Sequence, residues 1–233
     1  MQPVVSDNRA LLIDAMGTLV RLEPPAPALR RELSRRFGAE LSLEQARSAL
    51  AAEIGFYRAH MQEGRDARSV RALHLRCAEA LRAALPASGL PRRLDSAALT
   101  EALLASLRFT VFEDALPALR AARARGERVI VVSNWDVSLH DVLERAGLAA
   151  LLDGVLTSAA AGSRKPQRAI FERALRLAGV RAEGALHVGD SLEEDVAGAR
   201  AAGIAAVWCN RSGAPVPPGV ESIAGLDELR WPT

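Results

Sequence analysis

Cysteine is almost absent from this chain, which has only Cys77 and Cys209 among its 233 residues. They stand far apart, neither has a metal-ligand spacing around it, and they draw no disulfide framework, so a reducing, cytoplasmic setting is expected. Aromatic residues are scarce too, at 4%. No basic run is interleaved with them, which leaves no stacking platform for bases and argues against nucleic acid as a partner. No apolar run is long enough to span a bilayer, and the first residues lack a basic region followed by a long apolar stretch, so neither membrane nor export is expected. Lysine is the scarcest cation. Of 30 basic residues only Lys165 is a lysine, and the rest are arginines. A chain that uses the planar guanidinium everywhere else and a compact ammonium once marks position 165 as a place where the ammonium itself is needed.

What is present describes an ordinary globular protein, with 49% hydrophobic residues, 25% charged residues and a formal net charge of +2. The length allows one good core plus a smaller lobe. Residues 11 to 20 read Leu-Leu-Ile-Asp-Ala-Met-Gly-Thr-Leu-Val. An apolar run of this kind reads as a buried strand, and ligands of open α/β sheets bind outside the carboxyl ends of the strands. Asp14 is therefore expected at the rim of a crevice. Gly17 lets the chain turn sharply behind it, and the backbone N–H groups of the turn are free to face an anion.

After Val20 the pattern changes. Pro24, Pro25 and Pro27 mark a boundary. Four helices are expected beyond it, over 28–37, 43–62, 68–85 and 96–107, with breaks at Gly38, at Gly64 and over 86–91. From Phe109 the pattern becomes βαβ. Helices are expected over 114–125, 138–146 and 192–202, with another from Pro166 to Ala178 that places Lys165 at its N-terminus. Strands are expected over 128–134, 154–157, 185–190 and 205–209, and a short β and α piece follows the prolines at 215–218. The first strand has no partner nearby in sequence, and the βαβ run needs one. The economical architecture is an α/β fold with a Rossmann-like parallel-sheet core formed by 1–21 and 109–233, and a four-helix cap domain, 22–108, inserted as a lid.

Strand ends then present Asp14, Ser133, Lys165 and Asp190 on one rim, with Asp195 one turn further on. Clustered carboxylates repel one another unless a cation joins them, and hard oxygen ligands favour Mg²⁺. Mg²⁺, a hydroxyl and an ammonium suit a phosphoryl group, with a carboxylate beside it as nucleophile. The motifs Asp14-Ala-Met-Gly17-Thr18-Leu19, Val132-Ser133-Asn134, Arg164-Lys165-Pro166 and Gly189-Asp190-Ser191 with Asp195, in this order and with a helical insertion after the first, resemble the haloacid dehalogenase superfamily of hydrolases. The resemblance covers essentially the whole chain. It implies Asp14 as nucleophile, Ser133 on the transferred phosphoryl oxygens and Lys165 neutralising both. It further implies Mg²⁺ held by Asp14, Asp190 and the main-chain carbonyl of Met16, with Asp195, or Glu194 in its place, acting on the metal indirectly. The phosphate-binding set is expected to be Gly17, Thr18, Ser133, Asn134 and Lys165, and the substrate a small phosphorylated metabolite.

Met16 departs from the pattern. Phosphatases of this superfamily usually carry a second aspartate there, which protonates the leaving alkoxide and then deprotonates the attacking water. Two alternatives follow from its loss, a weak or inactive member that binds a phosphorylated ligand or a partner, and a 2-haloacid dehalogenase. Dehalogenases lack that aspartate, but they also lack the metal-binding pattern kept by Gly189-Asp190 and Asp195. His187 is expected to be a sheet histidine satisfied by packing or a backbone bond. His60, His74, Tyr57, Arg58, Arg65 and Arg71 are expected on a solvated basic face of the lid.

Overall fold

The computed structural model describes residues 9–86 and 94–231, so the expected break over 86–91 lies, beyond Pro86, outside the described residues. The described chain divides into two compact units. One comprises Met1–Arg21, Val111–Trp135 and Leu139–Thr233, and the other Leu22–Thr110 with Asp136–Ser138.

The first unit is an α/β, Rossmann-like fold. Along the whole chain, strands β1 (Ala10–Ile13) and β2 (Val20–Leu22) come first, then the helices of the second unit, α1 (Pro25–Phe37), α2 (Leu43–His60), α3 (Ala67–Ala84) and α4 (Ser96–Ser106). The rest follows as β3 (Phe109–Val111), α5 (Ala115–Ala124), β4 (Arg128–Ser133), α6 (Leu139–Arg145), β5 (Gly154–Thr157), α7 (Ser158–Ala161), α8 (Arg168–Ala178), β6 (Ala185–Gly189), α9 (Gly198–Ala201), β7 (Ala205–Cys209) and β8 (Glu221–Ile223). Six strands pair in the order β5-β4-β1-β6-β7-β8, and every pairing is parallel. Strand β1 lies between β4 and β6, with Ile13 opposite Val131 on one side and Val188 on the other. The strand order reverses there, and a crevice opens at such a switch point outside the carboxyl ends. All four residues of β1 are buried. Ala10 and Leu12 join Ile130, Val132, Ile170, Phe171 and Trp208 in one apolar cluster beneath that edge.

The second unit has its own core, in which Leu29, Leu33, Leu50, Leu73, Cys77, Leu81, Leu99 and Leu103 meet. Its helices begin on strong local signals. Ser42 and Gln45 form a reciprocal cap on α2, and Asp66 and Ser69 do the same on α3. Gly38 closes α1 at φ +64, where its N–H reaches the carbonyls of Leu33 and Ser34. Tyr57 and His74 do not lie on a solvated face as expected. The Tyr57 hydroxyl donates to Asp136 Oδ2 at 3.1 Å, and His74 Nε2 stands 3.8 Å from the same oxygen.

Three other expectations change. The prolines do not exclude a helix, because α1 starts at Pro25 with Pro24 as its cap; the first N–H groups of a helix have no intrahelical partner, so a proline there forfeits nothing. Lys165 is not at a helix N-terminus, since α8 begins at Arg168. The helix expected over 192–202 is a π turn, Leu192–Ala197, followed by α9. Strands β2 and β3, unforeseen, form a separate two-stranded sheet.

Glu53 carries a testable consequence of this packing. It is 4% exposed, and burial pushes its carboxyl up to about 7 against the opposing pull of the Cys77 hydrogen bond and the His74 charge. A raised carboxyl favours the native state below its unfolded pKa, and that contribution is lost as pH rises through the folded value. The Glu53→Gln variant should match wild type near about pH 5 and exceed it by about 2–3 kcal/mol near about pH 8.5 in urea unfolding. A difference that stays flat with pH would contradict the assignment.

Candidate active site

The site is assembled from the ends of β1, β4 and β6 and the loop before α8. Asp14 directly follows β1, and its N–H donates to Val188 O at 2.9 Å, which extends the β1–β6 pairing by one residue. Its carboxylate Oδ1 accepts from Ser133 Oγ at 3.0 Å and from Lys165 Nζ at 2.6 Å. The same ammonium donates to Asp195 Oδ1 at 2.5 Å. Lys165 is 1% exposed, so one buried ammonium bridges two buried carboxylates.

The charges act on each other strongly. Burial raises the Asp14 carboxyl above its ordinary value, the Lys165 charge opposes this, and the Asp195 charge adds to it. Burial would also raise Asp195, but the Lys165 ammonium and the His187 hydrogen bond outweigh it and hold that carboxyl well below the usual range. For Lys165, burial opposes the charged form, yet the two carboxylates win and its pKa rises. Asp190 lacks such an ammonium of its own. Burial, with the charges of Asp14 and Asp195, pushes it up to about 7.

Asp195 is not the next turn of an ordinary helix. The π turn places the Val196 N–H on Ser191 O, and the extra residue swings Asp195 inward, as π insertions do at functional positions. Its Oδ1 accepts from His187 Nε2 at 2.8 Å and its Oδ2 from the Ser191 N–H at 3.0 Å. His187 is a buried sheet histidine packed edge-on against Phe171, as expected, with ring centroids 5.2 Å apart, and it has a carboxylate partner in addition. Glu194, the alternative to Asp195, pairs instead with Arg164 at 3.2 Å in a partly exposed bridge.

Two glycines make the close approach of these carboxylates possible. A Cβ on Gly17 would stand 2.1 Å from Asp190 Oδ2, and one on Gly189 would stand 2.1 Å from Asp195 Cγ. Gly17 also has φ +79, which favours glycine on its own account. Asp14, Asp190 and Asp195 each offer a carboxylate oxygen, all within 4.8 Å of one another, so the donor set fits a hard divalent cation.

Gly17, Thr18 and Asn134, expected to bind phosphate, make internal hydrogen bonds in this structure. The Gly17 N–H donates to Val20 O at 2.8 Å and the Thr18 N–H to Ala15 O at 3.4 Å, so the turn consumes these donors internally. Thr18 is fully buried, and its Oγ1 has no partner. Asn134 uses its side-chain amide on the backbone of Lys165, donating to Lys165 O at 3.0 Å and accepting the Lys165 N–H at 2.8 Å. That amide fixes the loop that carries the ammonium. Met16 is half-buried and forms an isolated bridge with Val20.

A family model described as a haloacid dehalogenase-like hydrolase matches residues 8–203. The chain belongs to this family. Among curated relatives of this hydrolase, haloacid dehalogenase-like hydrolase domain-containing protein 3 of Bos taurus is 49% identical over 94 residues, which is 40% of this chain and 38% of the relative. The match thus spans well under half of that protein. A phosphoserine phosphatase of Thermus thermophilus is 33% identical across 95% of this chain and 96% of its own length. The solved structure of a phosphatase of this family from Thermococcus onnurineus aligns with a TM-score of 0.65 at 27% identity, over 95% of this chain and 96% of that one. No helix among the described residues is long and apolar enough to cross a membrane.

Two contacts near the site are not foreseeable from the sequence, Trp208 Nε1 donating to Asp190 O at 2.8 Å and the pair of Arg211 with Asp114. Trp208 lies in a recognisable strand, but nothing in the chain's pattern says that its indole reaches the residue just past β6. The buried triad yields a direct prediction. Lys165→Met keeps the side chain's length but leaves two buried carboxylates without their cation, which should lower stability by about 3–5 kcal/mol at neutral pH in urea unfolding. The deficit should shrink as pH falls, because the stabilisation of a depressed carboxylate such as Asp195 is lost there in wild type as well. A loss below about 1 kcal/mol at neutral pH would contradict the bridging role.

Proposed function

We propose that this hydrolase is a Mg²⁺-dependent phosphatase of small phosphorylated metabolites that works through an aspartyl-phosphate on Asp14, with the helical unit as its lid. The observation that carries the reading is the Asp14 carboxylate held at one oxygen by both Ser133 and Lys165. The phosphatase name of the full-length Thermus relative supports the same reaction class.

In this reading Asp14 Oδ2 attacks phosphorus while the bond to the leaving oxygen breaks and its electron pair departs with that oxygen. The fixed lysine and serine then serve as donors to the transferred group, a preorganised arrangement that needs little rearrangement as charge builds. Water attacks the same phosphorus in the second step and releases inorganic phosphate and the free Asp14 carboxylate. Asp14, Asp190 and the main-chain carbonyl of Met16 would hold Mg²⁺, which when bound offsets the negative charge gathered at the site. Asp195, with both oxygens occupied by Lys165, His187 and the Ser191 N–H, acts by holding the lysine.

Met16 sets the scope. A thioether neither donates nor accepts a proton, and a positioned acid–base group contributes about 10²–10⁴-fold, or roughly 3–5 kcal/mol of barrier. The favoured substrates are therefore acyl or aryl phosphates, whose leaving groups need no proton. Met16 also motivates two other readings, a phospho-ligand-binding member with little turnover and a 2-haloacid dehalogenase. The carboxylate cluster with Asp190 at its edge weighs against the dehalogenase, because carboxylate attack on a carbon bearing halide needs no cation.

A panel of acyl, aryl and alkyl phosphates, assayed with and without Mg²⁺ on wild type, Asp14→Asn and Met16→Asp, tests the reading. Wild type should turn over acyl and aryl phosphates only with Mg²⁺, Asp14→Asn should be inactive, and Met16→Asp should gain about 10²-fold or more on alkyl phosphates. Halide release from 2-chloropropionate that survives a chelator would replace this reading with the dehalogenase. Ligand-induced thermal stabilisation without any turnover would replace it with the binding role.

A further inference from the structure

The turn that follows Asp14 is gripped from outside the site by a single arginine. Arg211 lies just beyond β7 and makes a bidentate pair with Asp114, Nη1 to Oδ2 and Nη2 to Oδ1, each at 2.9 Å. Its Nη2 also donates to Thr18 O at 2.8 Å. The guanidinium stacks 3.8 Å from the centroid of the Phe112 ring, and the Phe112 N–H in turn donates to Leu19 O at 3.0 Å. Asp114 is itself anchored, because its Oδ2 accepts the Leu226 N–H at 2.7 Å. A Cβ on Gly225 would stand 2.7 Å from that oxygen, so the C-terminal segment closes directly on the carboxylate. The Arg211 charge and the Leu226 N–H hold Asp114 ionised, below the usual range, although burial opposes them.

Thr18 follows Gly17, the residue against which Asp190 packs, and lies four residues from Asp14. The turn between them is closed by its own backbone bonds, with the Gly17, Leu19 and Val20 N–H groups all spent inside it. Such a turn moves as one piece, and its outward carbonyl at Thr18 is held by Arg211. We propose that Arg211, locked by Asp114 and Phe112, is a positioning residue that sets the attack geometry of Asp14 through the Thr18 carbonyl. The proposal rests on the reading of Asp14 as nucleophile. Ser133 and Lys165 come from other segments and keep hold of the phosphoryl group when the turn shifts. Loss of the grip therefore lowers kcat and leaves KM nearly unchanged, as misplacement of a reacting group by about 1 Å does. Lysine at this position keeps the charge but not the fork, so it can serve Asp114 or Thr18 O but not stack and hold both.

The test compares wild type, Arg211→Lys, Arg211→Met and Asp114→Asn in two measurements, steady-state hydrolysis of 4-nitrophenyl phosphate with Mg²⁺ and hydrogen exchange read by mass spectrometry. Expected are a kcat about 10–100-fold lower in both arginine variants with KM within about twofold, and a smaller loss in Asp114→Asn. The peptide covering residues 14–20 should exchange about tenfold faster, with β4 and β6 unchanged. Faster exchange spread across the whole sheet, or a KM that rises as kcat holds, would overturn the proposal in favour of a merely structural pair. Unchanged kcat with unchanged exchange at 14–20 would overturn it as well. Exchange is read without turnover, so a wild type inert toward phosphate esters would refute the phosphatase reading, while the exchange at 14–20 would still decide whether Arg211 holds the turn.

Discussion

Everything at this site depends on one buried ammonium shared by two carboxylates. Lys165 is 1% exposed, and burying a charge is strongly unfavourable unless opposite charges and hydrogen bonds surround it. Asp14, just past β1, and Asp195, on the π turn after β6, satisfy that condition, and the rest of the local architecture is what brings them there. Parallel pairing puts the ends of β1 and β6 side by side, the π turn rotates Asp195 inward, and Gly189 leaves the space its carboxylate fills. Asn134 then fixes the lysine's own backbone through a paired set of hydrogen bonds. A single lysine in an arginine-rich chain is consistent with this demand, since a planar fork does not fit where a compact charge must sit between two oxygens.

The triad also explains why the three acidic residues are not equivalent. Asp195 has both oxygens occupied and a carboxyl held low, so it is a fixed counter-charge. Asp14 shares the lysine but stands at the end of β1, where the crevice opens. Asp190 is more exposed, and burial together with the charges of Asp14 and Asp195 pushes it up to about 7, as happens where clustered carboxylates repel one another. Three carboxylates in similar sequence settings thus acquire three environments from the backbone that carries them.

Much of this was legible in the chain because the βαβ signals are strong. Short buried runs such as Arg128–Ser133 and Ala205–Cys209 identify themselves as strands, and strand ends carrying Asp14, Ser133 and Asp190 converge once the sheet is parallel. The rest resisted for physical reasons. The π turn differs from an α-helix only in hydrogen bonds that reach one residue further back, and Leu192–Ala197 carries no composition that distinguishes the two. The start of α1 at Pro25 was obscured because proline is permissive only in a first turn. His187 reads as an isolated sheet residue until its neighbour eight positions on is folded back against it. Arg211 and Asp114 are 97 residues apart, and one arginine among so many gives no local sign of its partner. The internal bonds of the Gly17 and Thr18 N–H groups were equally hidden, because a tight turn chooses its own acceptors only once folded.

The proposed chemistry turns on what Asp14 does. The most direct measurement is to mix the protein with Mg²⁺ and an acyl phosphate such as acetyl phosphate, quench in acid during turnover, and locate the modified residue by peptide mass spectrometry. A phosphoryl adduct on Asp14, absent in the Asp14→Asn variant, is the predicted result. Sustained turnover with no adduct on Asp14, or with the adduct on another residue, would contradict it.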